Sequence, residues 1–395
     1  MVQFLSLRCD LEWLKRSAKD RLRELRLVDP TSKLSQAQHI VAREFGFKSW
    51  PELNTHVEQV RGALRDAFPI LAKPLSALHS GPNPSPEVVD RFADLIRRGQ
   101  VGEAKMMLEE HPRLAITPTA DGHYPIHLAG RFNDVRAGIL LLAFGADPEA
   151  IIHGTRHNAL SWAVTCNAQE FARAMIKLGA ASDLFISAGI GDMDLVTSCL
   201  DEYQDAPNVL SHTGSTRLAD DMGAHGLHSE SLSDDVSDAL YIAARNGQAE
   251  VVRHLIAHGA RLDYKGFAGA TALHWAYFSG NPAVVETLLG AGSDSQGVDD
   301  TFGCQPFAFG LTACAAWGLG FKIDSLANLS PRAISSEGQR TTPLHEAAAS
   351  GNGDIVKRLL ELGADRNQRD HQNRMPEDRA ESSGHTAIVS LLRSQ

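Results

Sequence analysis

Hydrophobic residues near the start of the chain recur at intervals of three or four positions, which is the period of an amphipathic helix. A second stripe of this kind covers 34–45 and ends at Gly46, and a third follows Ser49 and Glu52, which are spaced as in a capping box. The first stripe consists of Leu11, Leu14, Ala18, Leu22 and Leu25. The pattern predicts three helices that form a small helical N-terminal domain over 1–72.

A proline-rich stretch comes next. Pro82, Pro84 and Pro86 alternate with other residues, and a helix cannot continue through three prolines placed in this way. We therefore predict a linker over 73–86, and a separate region over 87–395.

One short pattern recurs throughout this second region. Tyr124–His127, Thr271–His274 and Thr342–His345 read YPIH, TALH and TPLH, and a glycine that opens a GAD or GSD sequence follows each at the same distance. Weaker copies are centred on Ser161 and Tyr241. The copies recur with a period of about 33 residues, which indicates a stack of helix–turn–helix units.

These residues resemble ankyrin repeats, whose consensus combines TPLH, a helix of small residues, a glycine turn and a GAD ending. The resemblance covers about 87–395 and implies an all-α ankyrin-repeat solenoid behind the N-terminal helices. It implies that His127, His274 and His345 are anchors that form hydrogen bonds within and between repeats. More loosely, 36–51 is similar to a segment found ahead of bacterial ankyrin arrays, a similarity that implies no activity.

The repeat pattern is interrupted twice. A polar stretch of about 204–236 separates the fourth repeat, around Phe185 to Cys199, from Tyr241. The seventh repeat, which begins near Gly303, has no closing GAD before an irregular return at about 318–340. We predict insertions at both places. Long loops within a compact array are usually functional or disordered.

Unusual aromatic residues lie in the repeats between these insertions. Tyr241 replaces an anchor histidine, and Tyr277 stands where close stacking favours alanine; Gly310 in the next repeat is the expected compensation. One interpretation is a loop-covered ligand pocket lined by Tyr241, His274, Trp275, Tyr277, Phe278, Phe309 and Trp317. The other is that these side chains only fill an irregular core.

The composition of the chain limits which classes of partner and cofactor are expected. The chain has 38 Lys+Arg and 48 Asp+Glu, a net charge of −10, so nucleic acid is not expected as a partner. The absence of a long apolar run predicts no membrane segment, and five scattered cysteines without a CxxC pair favour the reducing cytoplasm. No metal or other cofactor is expected, although His212, Asp220, His225 and His228 form a weak candidate set of metal ligands.

No catalytic motif is recognisable, and an enzyme would need a site grafted onto the eroded repeats. In that case Tyr277, His274 and Tyr241 are the candidate catalytic residues. The leading hypothesis is a scaffold that binds a protein partner through the concave groove and fingers of the array. The alternatives are an enzyme or a binder of a small hydrophobic molecule, and an effector that acts inside a host cell.

Overall fold

A computed structural model gives the fold of the protein. All regular structure in the part of the chain that it describes is helical, as predicted. The described residues are 11–44, 47–65, 68–155, 157–180, 182–205, 232–336 and 339–393.

Three helices form the start of the described chain, at the positions predicted from the hydrophobic stripes. They are α1 (Leu11–Val28), α2 (Leu34–Glu44) and α3 (Trp50–Arg65). The Ser49 hydroxyl accepts the Glu52 N–H at 3.4 Å, and the Glu52 carboxylate accepts the N–H of Lys48 at 2.9 Å. Their shared core consists of Leu14, Ala18, Val41, Ala42, Leu53 and Val57, with Phe47 and Trp50 packed against it.

The predicted linker 73–86 contains a short helix, α4 (Leu75–Leu78). Nε2 of His79, the residue after this helix, lies 2.9 Å from the carbonyl oxygen of Phe144, and the Arg113 guanidinium donates to the His79 carbonyl at 2.9 Å. These bonds tie the linker to the first repeats. The domain boundary at this linker stays a prediction.

The chain divides into two compact units. The first holds the described residues up to Ile190 together with 197–205, and the second holds 191–196 and the described residues from Leu232 onward.

In the first unit, short helices are arranged in pairs. One row of inner helices packs side by side in chain order and consists of α5, α7, α9 and α11. A second row consists of α6, α8 and α10. Their bounds are α5 (Pro86–Arg97), α6 (Val101–Glu110), α7 (Pro125–Arg131), α8 (Val135–Ala143), α9 (Ala159–Thr165), α10 (Gln169–Lys177) and α11 (Leu184–Ile190); α12 (Met193–Asp205) has residues in both units.

The second unit repeats this arrangement. α13, α15, α17, α19 and α21 are the inner helices, and each packs on the next. The bounds are α13 (Leu232–Arg245), α14 (Ala249–Ala257), α15 (Ala272–Ser279), α16 (Pro282–Gly290), α17 (Pro306–Ala316), α18 (Ile323–Leu329), α19 (Pro343–Ala349), α20 (Gly353–Glu361), α21 (Pro376–Ser382) and α22 (Thr386–Arg393). The all-α solenoid of helix–turn–helix units is thereby confirmed.

The stretch 318–340 contains the second helix of the seventh repeat. α18 packs on α17 and on the outer helix α20, and its buried residues Ile323 and Leu326 supply the apolar face that this position needs. A turn of 3₁₀-helix over Pro331–Ala333 precedes the next repeat.

The anchor histidines join consecutive repeats, as the resemblance implied. His127 Nε2 lies 2.9 Å from the Ala150 carbonyl oxygen, and His345 Nε2 lies 2.9 Å from that of Arg374. The corresponding distance from His274 to the Cys304 carbonyl oxygen is 3.2 Å. Each ring therefore links the start of its own inner helix to the loop that leads into the next repeat.

The bonds at the other ring nitrogen define the tautomer. The Tyr124 N–H donates to Nδ1 of His127 at 3.0 Å, and the Thr271 N–H donates to Nδ1 of His274 at 3.2 Å. Nδ1 must then be an acceptor, so the proton is on Nε2, where it can be donated to the carbonyl. Burial, which disfavours the charged ring, lowers the pKa of both His127 and His274 to about 4.

In two repeats without an anchor histidine, other polar side chains make this connection. In the repeat of Tyr241, the Ser237 hydroxyl accepts the Arg261 N–H at 2.9 Å. In the next repeat but one, which has Ala308 at the anchor position, the Gln339 side chain accepts the Gln305 N–H at 2.6 Å. The link between repeats is thus kept although the residue changes.

Gly310 permits the close contact between α15 and α17, but for a different reason from the one predicted. A Cβ atom at Gly310 would lie 2.7 Å from the Tyr277 carbonyl carbon and 2.8 Å from the Phe278 nitrogen. The glycine therefore makes room for the backbone of α15, and the predicted compensation for the Tyr277 side chain stays a prediction.

We expect Gly310→Ala to lower the free energy of unfolding by about 1–3 kcal/mol, because backbone atoms cannot move aside as a side chain can. Gly290→Ala is the matched control, since no atom lies within 4 Å of a Cβ there; alanine should be neutral or stabilise by up to about 1 kcal/mol. Urea unfolding of both variants measures the difference. Equal stabilities would contradict the close backbone contact.

Because the anchor histidines are neutral in the folded chain, we predict that the protein loses stability in weak acid. Their pKa is lower in the folded than in the unfolded chain, so their contribution is complete above pH 6.5 and falls as the pH drops towards 4. At pH 5, the titration of His274 should lower the free energy of unfolding by about 2 kcal/mol relative to neutral pH. Urea unfolding is measured at both pH values for the unchanged chain, His274→Gln and His371→Gln. The loss of unfolding free energy between neutral pH and pH 5 should be smaller in His274→Gln than in the unchanged chain. It should be the same in His371→Gln, where the replaced ring is exposed.

Candidate functional site

Trp275 on α15 lies at the centre of a group of packed rings. Its side chain is fully buried, and its ring centroid is 5.4 Å from that of Tyr241, 5.2 Å from that of Phe278 and 5.0 Å from that of Phe309. All three contacts are edge-to-face, the favoured geometry for aromatic pairs. Because these residues come from α13, α15 and α17, the rings connect three successive inner helices.

Two further rings extend this group to the surface. Trp317, at the end of α17, stacks on Trp275 with a centroid distance of 6.0 Å and an angle of 19°. Phe267, in the loop before α15, is 6.4 Å from Trp275 and 6.5 Å from Trp317. Trp317 is 39% exposed and Phe267 is 43% exposed. We call Tyr241, Phe267, Trp275, Phe278, Phe309 and Trp317 together the aromatic cluster.

Two cations lie over the faces of these rings. The Arg245 guanidinium is 4.2 Å from the centroid of Trp275 and 5.1 Å from that of Phe278. The Lys322 ammonium is 4.2 Å from the centroid of Phe278 and donates to the Phe278 carbonyl at 2.9 Å. Such cation–π contacts contribute about 0.5–2 kcal/mol each, more when solvent is excluded.

Lys322 lies in an environment that opposes its charge. Burial lowers the pKa of its ammonium group, and the positive charge of Arg245 lowers it further. Burial also raises the pKa of the Cys314 thiol to about 12, so the thiol stays neutral. No carboxylate in the described part of the chain forms an ion pair with Lys322.

The indole N–H of Trp275 has no acceptor among the described residues. Its Nε1 atom is buried and forms no hydrogen bond with any described residue. A buried donor left in this state costs about 1–3 kcal/mol, and such groups call for an explanation.

Tyr241 is a buried, neutral phenol. Burial raises its pKa to about 12, against the opposing effect of Arg245, which is hydrogen-bonded to its oxygen. His274 is also committed to the fold, because both ring nitrogens lie within hydrogen-bonding distance of backbone atoms. The candidate roles of these two residues in catalysis stay predictions.

The predicted pocket residues are brought together with one exception. Tyr241, Trp275, Phe278, Phe309 and Trp317 belong to the aromatic cluster, and His274 contacts Phe309 with a centroid distance of 5.5 Å. Tyr277 is half-buried and makes no ring contact with another described residue. A ligand pocket at these residues stays a prediction.

The weak candidates for metal ligands fall within the predicted insertion 204–236. His212, Asp220, His225 and His228 lie outside the described residues, as does most of the predicted insertion 204–236. Within the described ranges, no three His, Cys, Asp or Glu side chains form a group suited to a metal ion.

Sequence reasoning missed three important residues of this site. Arg245 follows Tyr241 by one helical turn, a spacing that could have indicated their contact. Phe267 and Lys322 lie in irregular connections, where no periodicity shows which way a side chain points. Only the tertiary structure brings them to Trp275 and Phe278.

Comparison with known proteins agrees with the repeat geometry. Residues 191–299 match ankyrin repeats in three copies, and residues 339–371 match a single ankyrin repeat. The chain is 31% identical over 194 residues, 49% of its length, to the tyrosine-protein kinase Shark of Drosophila melanogaster. It is 34% identical over 97 residues, 24% of its length, to the probable E3 ubiquitin-protein ligase XBOS32 of Oryza sativa subsp. japonica. The matches cover 20% of each relative.

Two tyrosine variants test the placement of the hydroxyl groups. Tyr241→Phe removes a buried hydrogen bond to Arg245 and should lower the free energy of unfolding by about 1–3 kcal/mol. Tyr277→Phe should change it by less than about 0.5 kcal/mol, because Tyr277 is only half-buried. Denaturant unfolding gives both values. A costly Tyr277→Phe beside a neutral Tyr241→Phe would contradict this placement.

Proposed function

We propose that this chain, which contains ankyrin repeats, is a scaffold that binds a protein partner through the surface formed by its inner helices and the loops before them. Stacked repeats of this kind present an extended concave surface. The ankyrin repeats and the relatives that share them support a role in protein–protein interaction.

The observation that carries the proposal is the pair of exposed rings in the second unit. Phe267 and Trp317 contact each other and rest on the buried Trp275. Exposed apolar patches mark interaction sites, and tryptophan and arginine are enriched among the residues that dominate binding energy. Because Trp275 and Phe309 fix the base of this patch, its rings lose little conformational freedom on binding.

This proposal accounts for the aromatic cluster better than a small-molecule site does. The buried rings contact one another edge to face, whereas the exposed ones face outward. No helix among the described residues has the length and apolar character to cross a bilayer. A cytoplasmic location stays part of the proposal, supported by the buried thiols of Cys304 and Cys314.

A peptide-display selection tests the function without a known partner. Random linear peptides on phage are selected on the immobilised full chain, and the enriched sequences are measured as synthetic peptides. Trp317→Ala should weaken their binding by at least about tenfold, because it removes an exposed ring at the centre of the patch.

Phe132→Ala is the matched control. Phe132 is 47% exposed but belongs to the first unit, so its removal should leave the affinity within about twofold of the unchanged chain. Failure to enrich any peptide, or equal losses in the two variants, would contradict a binding surface at the aromatic cluster.

A further inference from the structure

We propose that the aromatic cluster recognises an acidic residue of the partner that is flanked by an aromatic or other large apolar side chain. In this arrangement the Lys322 ammonium receives the carboxylate, and Trp317 and Phe267 receive the apolar neighbour. The inference rests on the proposed function, because it specifies the chemistry of the partner at the same surface.

The charge of Lys322 is the first argument. The chain as a whole carries a net charge of −10, yet Lys322 forms no ion pair with a carboxylate of any described residue. Its ammonium group contacts the ring and the carbonyl oxygen of Phe278. A cation without an ion pair among the described residues creates a positive potential in which a carboxylate is stabilised.

The unfilled hydrogen-bonding capacity of Lys322 is the second argument. An ammonium group has three N–H donors, and the described residues supply Lys322 with one acceptor, the Phe278 carbonyl. A carboxylate offers two oxygens with about four acceptor positions, so it suits a site that has donors in excess.

The exposed rings provide the selectivity for an apolar neighbour. Trp317 and Phe267 lie beside the same Trp275 ring that Arg245 covers. Phe321, adjacent to Lys322 in sequence, is 83% exposed. Lys322 and Trp317 both contact the ring of Phe278, at 4.2 Å and 5.7 Å from its centroid. A peptide that places its carboxylate on Lys322 therefore has apolar surface nearby. The neighbouring side chain gains affinity by covering these rings.

Three capped peptides test the proposed chemistry directly. Ac-Phe-Glu-Phe-amide, Ac-Phe-Gln-Phe-amide and Ac-Phe-Lys-Phe-amide are titrated into the full chain, and the change in tryptophan fluorescence is followed. The glutamate peptide should bind at least about tenfold more tightly than the glutamine peptide, because a hydrogen bond to a charged group is lost in the latter. The lysine peptide should bind most weakly of the three.

Lys322→Gln should abolish this preference, so that the glutamate and glutamine peptides bind equally. Lys357→Gln is the matched control, because Lys357 is an exposed lysine on the outer helix α20, paired with Asp354 at 3.8 Å. This variant has the same change in net charge and should retain the preference for glutamate. Thermal melting of both variants verifies that each is folded.

The preference of the chain for the glutamate peptide over the glutamine peptide tests the carboxylate site at Lys322. Equal binding of the glutamate and glutamine peptides, or a preference that survives in Lys322→Gln, would overturn it. The display selection separates the two proposals. Enriched peptides that lack acidic residues would overturn the carboxylate site and leave the binding surface intact, whereas the enrichment of no peptide would overturn both.

Discussion

The hydrogen bond from a neutral histidine to the loop of the following repeat is the interaction on which the stack depends. Inner helices of seven or eight residues, such as α7 and α15, are too short to be stable in isolation. His127, His274 and His345 attach each of these helices to its successor. Because Nδ1 of His127 and His274 accepts a backbone N–H, the bridge needs the uncharged ring, and stability is therefore linked to pH.

The link between repeats is maintained in two repeats that lack the histidine, and the anchor position there is occupied by another residue. Ser237 and Gln339 supply the contacts between repeats in the neighbourhood of Tyr241 and Ala308. The Tyr241 ring can then pack on Trp275. Gly310 complements this change by letting the backbones of α15 and α17 approach. The aromatic cluster is thus compatible with the stack of repeats, because Ser237 and Gln339 make the hydrogen bonds between repeats there in place of histidine.

The same cluster holds positive charge in a partly desolvated place. Arg245 and Lys322 contact ring faces, whose negative potential offsets part of the cost of removing a cation from water. Burial nevertheless lowers the pKa of the Lys322 ammonium group. Surfaces that combine exposed tryptophan with such cations concentrate binding energy in few residues. The rigid base of buried rings is what makes this combination a feature of the folded repeats.

The sequence by itself determined the helices, the repeat period and the anchor histidines, because these depend on local spacing. The stripe from Leu11 to Leu25 and the GAD turns can be recognised without any tertiary information. Most of the aromatic cluster could also be predicted, since Trp275 and Phe309 have corresponding positions in successive repeats. The positions of Phe267 and Lys322 could not, because irregular connections carry no periodic signal. The reason for Gly310 was equally hidden: it is a distance between two backbones, which exists only after α15 and α17 have packed.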